Sequence, residues 1–175
     1  ALLLVAIPVF AQSQRRVFSK IMTGEPYTLE CYLPQITNGP NFPSWSPDGK
    51  SIAFSAKGSI WRLKLGETTA HELTSAKSYD SMPAWSPDGN WIVMASYPLH
   101  SYNSGVGAYP SNLFRIHPNG TGLEQITSYK ATQARATQPR YAPDGTGIVF
   151  TAVTHNSREL WIQPNAGGKP TRVTN

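Results

Sequence analysis

The chain has 175 residues, of which 39% are hydrophobic and 14% charged, a balance typical of a globular protein with few surface charges. Its formal net charge of +5 is spread over many segments, and only Arg15 and Arg16 form a dense basic pair. No aromatic and basic recognition pattern accompanies this charge, which excludes a nucleic-acid-binding stripe. The 15 prolines and 14 glycines favour a fold with many tight turns.

The first segment in chain order is apolar. Residues 1–11 read ALLLVAIPVFA, carry no charge and are too short to cross a bilayer. They have the character of the core of a secretory signal, with Val9 and Ala11 at the small-residue cleavage positions. The alternative is a buried strand, although nothing in the segment alternates. We predict an exported protein, periplasmic or secreted, whose initiator Met and basic leader precede this sequence.

A ten-residue stretch recurs three times in the rest of the chain. It reads WSPDGKSIAF from Trp45, WSPDGNWIVM from Trp85 and YAPDGTGIVF from Tyr141. Its proline presets the backbone for a type I turn, and the Gly after Asp accepts a left-handed conformation. Each copy therefore predicts a strand, a tight hairpin turn and a second strand.

Each copy continues in the same way. An apolar-aromatic pair predicts a third strand that ends at a Gly-rich turn, and an aliphatic residue followed by Thr predicts a fourth strand. These pairs are Ile60-Trp61, Leu113-Phe114 and Leu160-Trp161, then Leu73-Thr74, Ile126-Thr127 and Val173-Thr174. Four antiparallel strands that recur after 40 and then 56 residues predict an all-β chain with three full blades of a β-propeller. The second interval is longer because of an insertion at about residues 98–111.

The repeat P-x-W-S-P-D-G-x-x-I-x-F, with its I/L-W/F strand and L-T ending, resembles that of the TolB-like β-propeller family over residues 41–175. The third copy departs from the pattern, since Tyr141 and Ala142 replace Trp and Ser. The resemblance implies an exported bacterial protein. Some members of that family are stand-alone interaction scaffolds, and in others similar blades precede an amidohydrolase or serine-peptidase domain.

Three segments follow from this interpretation: a signal remnant over residues 1–11, an N-terminal segment over residues 12–40, and blades over residues 41–175. Residues 27–37 end like a fourth strand, and we expect them to supply the outer strand of a blade that closes the ring. Closed propellers have about four to eight blades. We therefore expect an N-terminal fragment whose end blades leave apolar faces for the remaining blades of the full-length chain. The lone Cys31 is expected to be a small buried residue.

No arrangement of side chains that catalysis requires is complete in the sequence. There is no G-x-S-x-G motif to expose a serine nucleophile, and His71-Glu72 lacks the second histidine of a zinc-binding H-E-x-x-H motif. The Asp residues of the repeated turn could suggest a carboxylate cluster, but turn chemistry explains each of them. We predict no catalytic residue, cofactor or metal site in these residues, so that an enzymatic activity would require a further domain.

Strand order predicts that the Ser-Pro-Asp-Gly turns share one face of the disc and that the longer connections share the other. Long loops on a rigid scaffold commonly carry binding residues. We predict that this second face binds a protein or peptide, in an exported recognition or scaffold module. The candidate residues are Tyr79, Asp80, Tyr102, Tyr109, Lys130 and Arg135. The alternative is the N-terminal propeller domain of an exported hydrolase, with its catalytic domain downstream.

Overall fold

A computed structural model describes residues 39–75, 78–98, 110–130, 134–154 and 157–174. These residues form twelve β-strands and no helix, and therefore no helix that is long and apolar enough to cross a membrane. The strands are, in chain order, β1 Asn41–Trp45, β2 Ser51–Ala56, β3 Ser59–Lys64, β4 His71–Glu72, β5 Ser78–Trp85, β6 Ile92–Pro98, β7 Asn112–Ile116, β8 Glu124–Gln125, β9 Arg135–Tyr141, β10 Gly147–Val153, β11 Arg158–Pro164 and β12 Thr171–Arg172.

The strands form three four-stranded antiparallel sheets, named blades 1, 2 and 3 here. Their orders are β1-β2-β3-β4, β5-β6-β7-β8 and β9-β10-β11-β12, so consecutive strands always pair. Blade 2 packs between the other two, since β5 contacts both β1 and β9. The predicted all-β architecture with three propeller blades is therefore confirmed.

The repeated turn is held by a short network of hydrogen bonds. In blade 1 the Gly49 amide donates to the Ser46 carbonyl at 2.9 Å. The Asp48 carboxylate accepts from the Ser46 hydroxyl at 2.6 Å and from the Lys50 amide at 3.0 Å. Gly49 has φ of +66°, the left-handed conformation that glycine adopts without steric cost. Blade 2 repeats each of these bonds at the equivalent residues.

Blade 3 forms the same turn with different donors. Ala142 has no hydroxyl, and Thr146 supplies one instead. The Thr146 amide and hydroxyl donate to the Asp144 carboxylate at 3.0 Å and 2.8 Å. The carboxylate is thus satisfied within its own turn in all three blades.

The Thr that closes each repeat has a role that differs from the predicted one. The Leu113 amide of β7 donates to the Thr127 hydroxyl at 2.9 Å, and the Ile126 amide donates to the Leu113 carbonyl at 2.8 Å. The fourth strands β4, β8 and β12 lie just before these residues, so the aliphatic-Thr pair follows the strand instead of forming it. A side-chain oxygen replaces the backbone carbonyl as acceptor, and the chain can then leave the sheet. The equivalent amide-to-hydroxyl bonds are Ile60 to Thr74 at 2.9 Å and Leu160 to Thr174 at 3.1 Å.

Each first strand contains a β-bulge that the sequence analysis did not predict. Phe42, Met82 and Gln138 have φ of +53°, +58° and +53°, and the pairing of β1, β5 and β9 shifts register at these residues. Each residue precedes a proline, which has no amide hydrogen for the ladder. Left-handed φ is costly for residues with a side chain, so the same local strain occurs three times.

The hydrophobic core lies between blades. The side chains of each second strand point alternately towards the preceding and the following blade, because successive residues of a strand face opposite sides. The cluster between blades 1 and 2 contains Ala53, Ile60, Leu73, Ile92, Met94 and Ile116, with Trp85 and Phe114 against it. The cluster between blades 2 and 3 contains Ala84, Val93, Leu113, Ala136, Ile148, Phe150 and Ala152, with Ile126, Tyr129, Ala134, Tyr141 and Trp161 against it.

Candidate binding face

The turns of each blade separate onto two faces, as predicted. The turn from β3 to β4 lies beside the Ser-Pro-Asp-Gly turn, since the Leu65 amide donates to the Lys50 carbonyl at 2.8 Å. Blade 3 has the same contact, from the Asn165 amide to the Thr146 carbonyl at 2.9 Å. These turns form what is named the turn face. The connections from second to third strands and from blade to blade form the opposite, variable-loop face.

Two tyrosines pack together at the variable-loop end of blade 2. Tyr79 of β5 and Tyr97 of β6 are cross-strand partners, with ring centroids 6.1 Å apart in an edge-to-face arrangement of 69°. Such pairs contribute beyond the area that they bury. Tyr79 also lies over the β2–β3 turn of blade 1, where a Cβ on Gly58 would stand 3.3 Å from its ring. The pair therefore sits where blades 1 and 2 meet.

The surroundings of this pair raise the pKa values of both tyrosines. Burial raises the pKa of Tyr79, and the neighbouring Tyr97 raises it further. Burial also raises the pKa of Tyr97, although a hydrogen bond with Ser111 and the positive charge of Arg135 oppose that rise. Both hydroxyls are neutral near pH 7 and can donate a hydrogen bond.

The other candidate binding residues that the structure describes differ in how far they are exposed. Asp80 is 3% exposed, and its carboxylate accepts a hydrogen bond from the Ser78 hydroxyl at 2.8 Å. The Asp80 amide donates to the Gly58 carbonyl at 2.9 Å, which fastens β5 to blade 1. Lys130 is exposed, and Arg135 is half-buried at the start of β9.

Tyr102 and Tyr109 lie in the insertion between β6 and β7, outside the described residues. The structure thus brings Tyr79 and Arg135 close to Tyr97, which the sequence analysis did not select, while Asp80 pairs with Ser96. Tyr97 follows the apolar run of β6, at a position that Val153 occupies in blade 3, and its sequence context does not distinguish it from a core residue.

The turn face presents carboxylates that are already occupied. Hydrogen bonds from the Ser46 hydroxyl and the Lys50 amide hold the pKa of Asp48 below its usual value. The Ser86 hydroxyl and the Asn90 amide lower the pKa of Asp88 in the same way. The Thr146 amide and hydroxyl lower the pKa of Asp144. Each carboxylate belongs to a different blade. Within the described ranges, no three His, Cys, Asp or Glu side chains are close enough together to hold a metal ion.

A layered cluster on the turn face fastens blade 2 to blade 3. The guanidinium carbon of Arg115 lies 4.2 Å from the centroid of the Trp91 ring, and His117 stacks on Trp91 with centroids 3.8 Å apart. Arg115 also bonds Glu124 at 2.8 Å and the side-chain oxygen of Asn165 in blade 3 at 3.0 Å. A cavity of about 250 Å³ lies beside this cluster. The arginine is engaged on several sides, which gives the cluster a structural role.

The outer rim between blades 2 and 3 carries an open groove of about 470 Å³. Tyr129, Trp161 and Lys169 are among its lining residues. At the rim between blades 1 and 2, the β7–β8 turn of blade 2 covers Leu73 of blade 1. A Cβ on Gly120 of that turn would stand 3.6 Å from the Leu73 carbonyl. The corresponding turn of blade 3 has no such neighbour, since a Cβ on Gly167 or Gly168 would contact nothing within 4 Å.

Comparison with known proteins identifies the fold. No protein-family model and no curated protein sequence matches the chain. A TolB-type structure from Agrobacterium tumefaciens is similar with a TM-score of 0.64 and 21% identity, over 77% of this chain and 49% of that one. TolB from Acinetobacter baumannii gives 0.62 and 22%, over 79% and 34%.

Dipeptidyl peptidase 4 from Porphyromonas gingivalis gives a TM-score of 0.60 with 11% identity, over 81% of this chain and 27% of that one. The chain thus spans about half or less of the length of each of these proteins. Identities at this level establish a shared fold. The described blades therefore have the TolB-like β-propeller fold, in agreement with the resemblance of the sequence repeat.

Proposed function

We propose that the chain is an exported β-propeller module that recognises a protein or peptide through its variable-loop face. The observation that carries this proposal is the Tyr79–Tyr97 pair, which stands on that face beside the insertion at residues 98–111. Tyrosine provides a large amphipathic contact area with few rotatable bonds, and it is enriched at protein interfaces.

The neighbouring residues support recognition of a polar main chain or side chain. The half-buried Arg135 and the exposed Lys130 add positive charge at this end of the blades. The Asp80 amide, which donates to the Gly58 carbonyl, holds β5 and with it Tyr79 against blade 1, while the Asp80 carboxylate accepts from Ser78 within the same strand. Tyr102 and Tyr109 of the insertion are proposed to extend the contact area.

The turn face offers less to a partner. Its Asp carboxylates accept hydrogen bonds within their own turns, and Arg115 is bonded to Glu124 and Asn165. A partner on that face would have to break bonds that already exist, which costs binding free energy.

Replacement of residues 99–110 by a three-residue turn tests the proposal. Peptides selected from a displayed random library against the wild-type chain serve as probes. The deletion is expected to weaken their binding at least about tenfold while the far-ultraviolet circular dichroism spectrum stays unchanged, because long surface insertions add little to the stability of a sheet. Leu123→Ser, an exposed apolar position on the turn face, is the matched control and should leave the affinity unchanged. Equal affinity after the deletion, or loss of binding in the control alone, would contradict the proposal.

A second candidate function is the propeller domain of an exported hydrolase. The similarity in fold to dipeptidyl peptidase 4, a protein named as a peptidase, favours it. Such a domain would shape access to a catalytic domain further along a longer protein. The coding sequence beyond residue 175 distinguishes the two functions. Further repeats followed by a stop codon support the recognition module, and a G-x-S-x-G motif or a His/Asp metal-binding pattern supports the hydrolase.

A further inference from the structure

The order of the strands divides the charges of the chain unequally between the two faces. In the sequence the net charge of +5 is spread over many segments. The connections of the turn face contain four acidic residues, Asp48, Glu67, Asp88 and Asp144, and two lysines, Lys50 and Lys169. The connections of the variable-loop face contain three lysines, Lys57, Lys77 and Lys130, and their sequences contain no Asp or Glu.

Two acidic residues lie in strands near the variable-loop face, and both are already engaged. Asp80 is buried, and its carboxylate accepts a hydrogen bond within its own strand. Glu159 of β11 forms an ion pair with Arg172 at 3.2 Å. Two arginines begin strands at the same end of blade 3, the half-buried Arg135 in β9 and the exposed Arg158 in β11. The described part of this face therefore carries an excess of positive charge.

Positive charges lie on both sides of the Tyr79–Tyr97 pair. Lys57 is exposed in the tight β2–β3 turn of blade 1, with φ of +53°. The next residue, Gly58, lies against the Tyr79 ring, since a Cβ there would stand 3.3 Å from it. In blade 3, Arg135 is near enough to Tyr97 for its charge to oppose the rise in the pKa of that tyrosine. The two phenols of blade 2 thus lie between a cation of blade 1 and a cation of blade 3.

The side chains around this pair favour a ligand that carries carboxylates. Lysine and arginine have N–H donors and no acceptor, and a neutral phenol supplies an O–H donor. A carboxylate accepts such bonds, and hydrogen bonds between charged groups are stronger than those between neutral groups. The two aromatic rings add contact area for an apolar side chain. A phosphate or a lipid head group would leave that area unused, whereas a peptide can use it.

We infer that the variable-loop face recognises an acidic peptide segment. Its carboxylates face Lys57 and Arg135, and an apolar residue between them contacts Tyr79. This assignment rests on the proposed recognition function and adds the chemistry of the partner. The acidic connections of the turn face repel the same segment, because like charges brought together cost binding free energy. The charge pattern therefore selects the face as well as the partner.

Charge reversal in the 175-residue chain tests the inference. The probes are peptides that the wild-type chain enriches from a displayed random library, and they should contain more Asp and Glu than the starting library. Synthetic copies in which Asn and Gln replace every Asp and Glu should bind at least about tenfold more weakly. The double variant Lys57→Glu, Lys130→Glu should weaken the original peptides by at least about tenfold as well, since both lysines are exposed on this face.

A second double variant is the matched control. Lys64→Glu with Lys169→Glu changes the net charge by the same amount at two exposed positions on the turn-face side of the blades. It should leave the affinity of the peptides within about twofold, because charges beyond a Debye length of about 8–10 Å are screened. Unchanged circular dichroism confirms that both variants fold. Equal weakening in the two double variants would overturn the inference, since net charge alone would then explain the binding.

The deletion of residues 99–110 separates this inference from the proposed function. If the deletion weakens the peptides while the Lys57→Glu, Lys130→Glu variant binds them normally, the face binds peptides and the acidic partner is wrong. Enriched peptides without an excess of Asp and Glu would lead to the same conclusion. If the deletion has no effect, or if no peptide is enriched, the recognition function itself is wrong. Binding to phosphatidylglycerol vesicles that outcompetes the peptides would overturn the assignment in favour of a membrane surface.

Discussion

Among the residues that the structure describes, blade 2 is covered on both sides, whereas blades 1 and 3 are each covered on one side. In β6 every residue from Ile92 to Ala95 is completely buried. In β2 burial alternates, because Ala53 faces blade 2 while Ile52 and Phe54 face outward and stay half-buried. The apolar sequence of the second strand is nearly the same in both blades. Burial in this molecule is therefore a property of a blade's neighbours and not of its own sequence.

The strongest test of this comparison truncates the same repeat position in two blades, once where it is buried and once where it is exposed. Leu113→Ala in blade 2 should lower the free energy of unfolding by about 2–5 kcal/mol, because it leaves a cavity in the core between blades 2 and 3. Leu160→Ala at the equivalent, exposed position should cost less than about 1 kcal/mol when the chain is monomeric. Urea unfolding of dilute protein measures both values. Equal losses of unfolding free energy in the two variants would show that the neighbouring blade does not determine the cost of the truncation.

The hydroxyl that closes each repeat provides a second comparison. Thr127→Val leaves the buried Leu113 amide without its acceptor and should cost about 1–3 kcal/mol. Thr174→Val leaves the Leu160 amide near solvent, where water can replace the hydroxyl, and should cost a few tenths of a kcal/mol. Thr127→Val also removes the hydrogen bond that the Thr127 hydroxyl donates to Asn112 Oδ1 at 3.0 Å, which adds to its cost relative to Thr174→Val. Thermal unfolding monitored by circular dichroism distinguishes them.

The β-bulges occur in all three blades, so they test whether a strained backbone is a general property of the repeat. Gln138→Gly should stabilise the protein by about 0.5–1 kcal/mol, since glycine adopts a φ near +53° without the penalty of a Cβ. Gln138→Ala retains the penalty and is the control. Met82→Gly should gain less, because the Met82 side chain is half-buried between blades. Destabilisation by Gln138→Gly would show that the bulge is not strained.

The last prediction concerns Tyr141, which replaces the Trp of the other two copies. Burial raises the pKa of Tyr141 to about 12, and the nearby Arg115 charge opposes this only in part. Since an unfolded Tyr has a pKa of about 10, the unfolded chain loses its proton first as pH rises from 10 to 12, and the free energy of unfolding falls in that range. Tyr141→Phe should reduce this fall.

At neutral pH the same variant should change the free energy of unfolding by less than about 0.5 kcal/mol, because the Tyr141 hydroxyl is buried without a well-placed hydrogen-bond partner. Urea unfolding at pH 8 and pH 11 measures both effects. An identical pH dependence in wild type and variant would show that the phenol does not titrate as described.

The sequence predicted the parts of the fold that local chemistry determines. The turns of the repeat follow from the Pro, Asp and Gly that they contain, and the second and third strands follow from apolar runs between turns. The bulges were missed, although Pro43, Pro83 and Pro139 recur before the aromatic residue and cannot donate to a ladder. The exact position of the fourth strands was missed, because the Thr hydroxyl replaces a backbone acceptor there. The spacing of apolar residues in a sequence does not reveal such a replacement.

The candidate site was less predictable than the fold. Asp80 was selected as a surface charge, yet it is buried, and its amide bonds the carbonyl of Gly58, which lies 22 residues earlier in the chain. Tyr97 was not selected, because its partnership with Tyr79 arises only from the register of β5 against β6. A residue whose role depends on its cross-strand neighbour can be identified only when the pairing of the strands is known.

The outermost strand of every blade is only two residues long, at β4, β8 and β12. A long, flat edge strand offers its unpaired amides and carbonyls to any extended chain nearby, which is how sheets aggregate through their edges. Two residues provide too few hydrogen bonds to template such growth. The chain can therefore repeat one sheet three times without the outer edges of the described blades promoting edge-to-edge aggregation.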